Sequence, residues 1–399
     1  MPLPLSGIKV VDMCVLLAGP YASMMLADQG AEVIKIEAPR GDNARNIGRR
    51  GDTDLSLTYL AFNRNKRSVA LDITTPEGLE AAHKLCEWAD VVIINMRVDT
   101  RRRRGFTYEQ LSAINPKLIY VSLTGYGDDG PEANLPGADI TLQARIGDIA
   151  ERTMPGQPPP PHTQNYHIDM GTSMLTAYAV AIALLQRQQT GQGQKIETSL
   201  LQTGVALHAV QLTRVVNDPD FFGGPVTGFP SSYECSDGRW ILSQFINLGL
   251  RWDEMCEALG LDDLHNDPRF ATLPERQEHW QEIASVLSKT FKTKPAAEWD
   301  RLLKSREHMM SMVKTIDEMF DDVQIKANDM MTEFEQPGAG GAGRVISPAR
   351  TFRMASTANE PFIRRHAPHL GEHTDEVLRE IGYTDAAIAN MRAKGAVTG

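Results

Sequence analysis

The feature that most constrains this chain is a repeating alternation in its first third. "GIKVVDM" is a short β-branched run that reads as a buried strand. "PYASMMLADQG" follows as a helix, opened by Pro20 and closed by Gly30, and "AEVIKIEAP" is a second strand. The pattern recurs: strand "RSVALDI", helix "PEGLEAAHKLCEWA" starting at Thr75-Pro76-Glu77, strand "DVVIINM", helix "TYEQLSAIN" and strand "PKLIYVSLTGYG". Strands joined by helical crossovers pair in parallel, so an α/β fold with a doubly wound parallel-sheet large domain is expected. The first crossover loop reads Leu16-Leu17-Ala18-Gly19-Pro20 and lacks Gly-x-Gly-x-x-Gly, so a nicotinamide or flavin dinucleotide gains little support.

A chain of 399 residues exceeds one ordinary compact domain. Residues 1–224 are expected to form the large domain and 225–325 a smaller α+β domain. Residues 326–399 are expected to form a C-terminal segment returning to the first. In the middle region "GGPVTGFPSSYECSDGRWILSQF" reads as turns and short strands, and "LRWDEMCEALG" and amphipathic stretches from 276 to 306 as helices. "MPGQPPPP", residues 154–161, excludes regular structure, and "AGGAG", residues 339–343, reads as a loop or linker.

Composition narrows function by exclusion. The net charge is −10, which argues against a nucleic-acid binder needing a basic surface. No apolar run of roughly 18 residues is free of polar interruption, so no membrane span is expected. "MPLPLSGIKVVDM" does not read as a secretory leader, and a cytoplasmic location is expected. Cys14, Cys86, Cys235 and Cys256 form no Cys-x-x-Cys pair and read as isolated thiols. Two basic clusters stand out: Arg97 with Arg101, Arg102, Arg103 and Arg104, and "NRNKRS" with Arg64, Lys66 and Arg67. Each is either a solvated loop or part of a site where guanidinium groups meet a polyanionic ligand.

"QNYHIDMGTSMLTAYAVAIALLQRQQTGQGQK", residues 164–195, places Asp169 before a helix expected over roughly 172–188. That helix is apolar on every face until Gln186-Arg187, which predicts full burial, and Gly191 suits its C-terminal cap. Asp169 is either an ordinary N-cap or a nucleophile whose oxyanion the helix N–H groups steady. His366, His369 and His373 have a spacing that invites a metal, but Pro368 and Gly371 break any helix that would align their rings. No metal site is expected, and the absence of a Gly-x-Ser-x-Gly elbow argues against a serine hydrolase.

Five ordered stretches, "GIKVVDM…LAGPYASMMLADQGAEVIKIEAP", "NRNKRSVALDI", "NPKLIYVSLTGYG", "TGQGQ" and "APHLGEHTDEVLREIGY", resemble the class III coenzyme A transferase family. That family includes formyl-CoA transferase, carnitine CoA-transferase and the bile-acid-inducible transferase, with α-methylacyl-CoA racemase as a relative. The likeness runs from Gly7 onward, with the middle region diverging. It implies a nucleophilic aspartate at the position of Asp169, coenzyme A bound along the large domain, and two chains interlocked as a homodimer. It also implies acyl-CoA and a carboxylic acid as substrates, with no tightly bound cofactor, nucleic acid or membrane partner.

Positions that line the CoA site in formyl-CoA transferase fall here on Leu17, Ala18, Leu71, Asp72, Ile73, Thr74, Asn95, Met96, Arg97 and Arg103, with Arg40 nearest to the adenine-side arginine. Leu17 replaces a glutamine of that enzyme, and Ser243 to Leu250, "SQFINLGL", is no equivalent of its glycine-rich loop, which disfavours oxalate and formate as the substrate pair. Racemases carry Gly-His-Asp where this chain reads Gly137-Ala138-Asp139, and alanine moves no proton. The resemblance therefore implies transfer of CoA through an aspartyl anhydride and an aspartyl-CoA thioester. A racemase-like enzyme and a non-catalytic CoA-binding regulator are the alternatives.

Overall fold

The computed structural model describes residues 2–48, 53–153, 156–160, 165–216, 232–243, 251–339, 343–357 and 359–399. Six strands, β1 Lys9–Met13, β2 Glu32–Glu37, β3 Lys66–Leu71, β4 Val91–Ile94, β5 Ile119–Thr124 and β6 Gln194–Ser199, pair in parallel in the order β3-β2-β1-β4-β5-β6. The strand Val397–Thr398 adds a seventh, antiparallel to β3. Its partners are Leu71 and Ala70, so the C-terminal segment completes the sheet edge.

Parallel strands are covered on both faces, which is why the central strand β4, Val91–Ile94, is apolar without alternation. Val11, Ile34, Val69, Val92 and Tyr120 pack with Leu85 and with Val377, Leu378, Ile388 and Met391 of the two C-terminal helices. On the opposite face Val10, Val33, Val91, Ile93 and Val121 pack with Leu26, Ala27, Val180, Ala183 and Leu184. The helix Ala18–Asp28 and the long helix His167–Thr190 supply those last five.

The chain forms two compact units, Met1–Leu212 with Asp329–Gly399, and Thr213–Asn328. The second contains the antiparallel strands Ser232–Glu234, Trp240–Ser243 and Met310–Met312. Its core joins Tyr233, Trp252, Ile283, Leu287, Phe291, Trp299 and Leu303. Residues 244–250 of "SQFINLGL" and parts of the proline-rich and "AGGAG" stretches lie outside the described residues.

Three expectations are corrected. The long helix spans His167–Thr190 and so begins before Asp169, not after it. It is not buried on every side: Met174, Leu175, Tyr178, Ile182 and Leu185 form an exposed apolar face. By length and a mean hydropathy of 1.6 this helix also passes for a bilayer span, because Thr, Ser, Gly and Tyr interrupt its apolar run without making it hydrophilic. Its other face is nevertheless part of the core of the sheet.

The third correction concerns "NRNKRS". Arg64 pairs with Asp28 at 2.7 Å, Lys66 with Asp12 at 3.0 Å, and Arg67 with Glu32, Glu376 and Glu380. All three cations are buried against these carboxylates and none is available for a polyanion. The partners come from distant segments, so the local sequence could not reveal the pairing. Arg64 also donates to Ser347 Oγ at 3.0 Å and to the Pro348 carbonyl at 2.9 Å, which ties the C-terminal segment to the first helix.

Candidate active site

The strand order places the two halves of the sheet back to back at β1 and β4. Loops leaving these strands part in opposite directions, and the crevice at their carboxyl ends is where open α/β sheets bind ligands. A cavity of about 330 Å³ lies there. Leu16, Leu17 and Ala18 reach it from β1, Asn95, Met96 and Arg97 from β4, and Leu123, Thr124 and Gly125 from β5. Gly137, Ala138, Asp139 and Asp169 complete the part of the wall that bears on chemistry.

Close backbone contact brings the segment 137–139 to the cavity. A Cβ on Gly125 would stand 2.7 Å from Gly137 Cα, and one on Gly137 would stand 2.5 Å from Gly125 Cα. Neither position tolerates a side chain. The contact seats Asp139, only 3% exposed, beside the first turn of the long helix. Its Oδ2 accepts the backbone N–H of Asp169 at 2.9 Å. The Gln143 side-chain amide donates to Asp139 Oδ1 and to the Asn165 carbonyl, and its oxygen accepts from Arg152 at 3.0 Å.

This geometry excludes the cap reading of Asp169. Tyr166 occupies the N-cap, and Asp169 is the third residue of the helix. Its carboxylate accepts no hydrogen bond among the described residues, so it is not a cap. Burial first, and the Asp139 carboxylate second, push the Asp169 carboxyl up to about 7. A partly buried acid with a strongly raised pKa, facing a cavity at a switch point, has the character of a functional group. The N–H of Asp169 is taken by Asp139 and that of Met170 by the Tyr166 carbonyl, so the oxyanion role expected of the helix N–H groups does not extend to these two.

Of the positions the resemblance assigns to CoA, Leu17, Ala18, Asn95, Met96 and Arg97 line the cavity with Asp169. Leu71 ends β3 and Asp72, Ile73 and Thr74 follow it, all outside that lining; Leu71 is buried and Asp72 Oδ1 accepts from Thr74 N at 2.9 Å. Arg40 is exposed after β2, and Arg103 is exposed on the helix Val98–Arg104. Arg101 of the same cluster is internal: it pairs with Asp128 at 2.7 Å and donates to Tyr120 at 3.2 Å and to Ser122. The three histidines go separate ways, His369 to Asp54 at 2.5 Å, His366 to Glu372 at 3.1 Å and His373 to the Ser68 N–H at 3.3 Å.

Two features of the site were not foreseen. Asp139 appeared in the sequence only as the neighbour of Ala138; the spacing of 30 residues from Asp169 carries no local signal. Leu16 has a φ of +70°, in the left-handed region, which costs a non-glycine residue about 1–2 kcal/mol.

The family model for CoA-transferase family III matches residues 5–374. The succinate–glutarate CoA-transferase of Agrobacterium fabrum is 34% identical over 95% of this chain and 96% of its own. The (R)-2-hydroxy-4-methylpentanoate CoA-transferase of Clostridioides difficile is 29% identical over 97% of this chain and 98% of its own. Among solved structures, Rv3272 from Mycobacterium tuberculosis superposes with a TM-score of 0.81 at 30% identity, over 94% of this chain and 99% of that one. A CAIB/BAIF family protein from Brucella suis gives 0.81 at 29% identity, over 96% and 100%. With a match that includes strands β1 to β6 and the cavity-wall residues described above, the chain belongs to CoA-transferase family III, and it is an enzyme that acts on coenzyme A thioesters.

Proposed function

We propose that this enzyme carries CoA from an acyl-CoA thioester to a carboxylic acid through covalent adducts of Asp169. The carrying observation is the Asp169 carboxylate itself: raised to about 7, uncapped, and on the wall of the cavity. An Asp169 oxygen attacks the thioester carbonyl carbon, the C–S bond breaks, and CoA leaves as thiolate, giving an acyl-aspartyl anhydride. The thiolate attacks Asp169 Cγ and expels the donor carboxylate, leaving an aspartyl-CoA thioester. The acceptor carboxylate attacks the same carbon and releases thiolate. Attack of that thiolate on the acceptor carbonyl frees Asp169 and completes the new thioester. Partial burial favours this route because water competes for both adducts. Ala138 lines the cavity where a second proton-transfer group would be needed for racemisation, which supports transfer over the racemase reading.

The wall positions Leu17, Ala18, Asn95, Met96 and Arg97 are proposed CoA contacts, with Arg103, Arg40 and Leu71 to Thr74 as outer contacts for the nucleotide end. A homodimer is proposed as the working form, supported by the exposed apolar face of the long helix.

Incubation with acyl-CoA followed by hydroxylamine should convert Asp169 to a hydroxamate, read as a small mass change on one peptide. Asp169→Asn keeps the shape and removes the nucleophile; it should fold, bind CoA and lose transfer by several orders of magnitude. A folded Asp169→Asn protein retaining more than about a tenth of the wild-type rate would sink the assignment, since that is a barrier change of only about 1.4 kcal/mol.

A further inference from the structure

The strained residue of the cavity wall is Leu16. Glycine takes a φ of +70° freely and asparagine nearly so, whereas leucine does so only where its surroundings over-determine the backbone. Here they do. The Leu16 N–H donates to Asp42 Oδ1 at 2.9 Å, and the Cys14 carbonyl accepts from Lys35 Nζ at 2.7 Å. The Cys14 N–H donates to Asp12 Oδ1 at 2.9 Å. Asn95 holds Val15 from both sides, accepting its N–H at 3.1 Å and donating to its carbonyl at 3.0 Å.

Behind the loop, Lys35 and Asp42 form an ion pair of 2.9 Å with both side chains fully buried. Burial alone would depress the Lys35 ammonium, yet Asp42, Asp12 and Glu37 outweigh it and hold the group charged. Neither Lys35 nor Asp42 reaches the cavity wall. Burying charges and straining a leucine are both unfavourable, and a glycine would remove the strain. Core packing does not account for the leucine, because its side chain stays 39% exposed, on the wall of the cavity.

We propose that Leu16 is a specificity-determining residue, set by the buried Lys35–Asp42 pair so that its side chain packs an apolar stretch of the CoA thioester. The proposal rests on the cavity being the place where the thioester reacts. Two stretches of such a substrate share this chemistry, the acyl chain and the apolar part of the pantetheine arm.

The experiment compares Leu16→Gly, Leu16→Asn and Leu16→Met across acyl-CoA donors of increasing chain length, with free-CoA calorimetry and thermal melts. Glycine and asparagine suit the backbone, so both variants should melt at about the wild-type temperature. Both should lose about tenfold in kcat/KM, through KM with kcat held, and Leu16→Met should restore most of it. A loss equal for every donor and mirrored in free-CoA affinity identifies the pantetheine arm; a loss that grows with chain length identifies the acyl chain. Unchanged kcat/KM and CoA affinity in both Leu16→Gly and Leu16→Asn would overturn the proposal, and so would a large drop in melting temperature that accounts for the loss. Asp169→Asn serves as the control for the cavity: if it too retains transfer, the site is misplaced; if it alone is inactive, only the role of Leu16 is wrong.

Discussion

The backbone N–H of Asp169 donates to the Asp139 carboxylate across 2.9 Å, so one buried acid orients the residue that carries another. The Asp139 carboxylate lies on the same cavity wall and is the second cause, after burial, of the raised Asp169 pKa. In the proposed mechanism the nucleophile is the ionised Asp169 carboxylate, so transfer should rise with pH through about 7 and level off above it. Asparagine at 139 keeps an oxygen for the Asp169 N–H and removes the charge. Asp139→Asn should therefore move the midpoint of the pH–rate profile down, retaining at pH 6 a larger fraction of its own maximum than the wild type does. A midpoint that stays put would remove Asp139 from the electrostatics of the site.

The same shift makes a statement about stability. Asp169 is an acid whose folded pKa, about 7, lies above its unfolded value near 3.8. The folded state therefore holds the proton more tightly, and stability falls as pH rises from about 4 to about 7. Asp169→Asn removes that dependence. Allowing for the partial exposure of the group, the variant should be more stable than wild type by roughly 2–4 kcal/mol at pH 8. The difference should shrink towards zero below pH 4. Urea unfolding at the two pH values measures it, and a variant less stable at pH 8 contradicts the raised pKa.

Two arginines that look alike in sequence should behave oppositely. Arg64→Ala strands Asp28 in the interior and should destabilise the fold by about 3–5 kcal/mol. Arg97 is exposed at the cavity wall, and Arg97→Ala should leave the melt unchanged while weakening CoA binding by about 1–3 kcal/mol, with a flatter salt dependence. Thermal melts and calorimetry together separate the roles, and unchanged CoA affinity in Arg97→Ala would remove it from the site.

That contrast shows what the sequence could and could not carry. The strands were legible because a parallel strand buried on both faces writes a continuous β-branched run, as in Val91–Ile94. Loop positions such as Asn95 and Arg97 were legible only through the resemblance to formyl-CoA transferase, and the structure places both on the cavity wall beyond β4. The burial of Arg64, Lys66 and Arg67 was not, because Asp28, Asp12, Glu376 and Glu380 lie tens to hundreds of residues away. Likewise the φ of Leu16 is imposed by Asp42 and Asn95 from other loops, and nothing in "VLLAG" announces it. The start of the long helix was misjudged because Tyr166 offers no capping side chain to mark it.

The exposed face of that helix supplies the last prediction. Met174, Tyr178, Ile182 and Leu185 recur at helical spacing on one side, and Tyr178 is 66% exposed. On the opposite side, Val180, Ala183 and Leu184 are packed into the core, so the helix is anchored and its apolar face is presented in a fixed orientation. A fixed apolar stripe on an independent chain is unfavourable in water at about 25 cal/mol per Å², and covering it by a second copy removes that cost. Tyr178→Glu places a charge at the centre of the stripe, and Tyr178 does not line the cavity. It should shift the proposed dimer towards monomer in sedimentation velocity while leaving the far-ultraviolet circular dichroism unchanged. Asp169 lies in the first turn of the same helix, so the monomer that results should also show altered transfer kinetics. A Tyr178→Glu protein that sediments as the wild type does would remove this face from the proposed dimer interface.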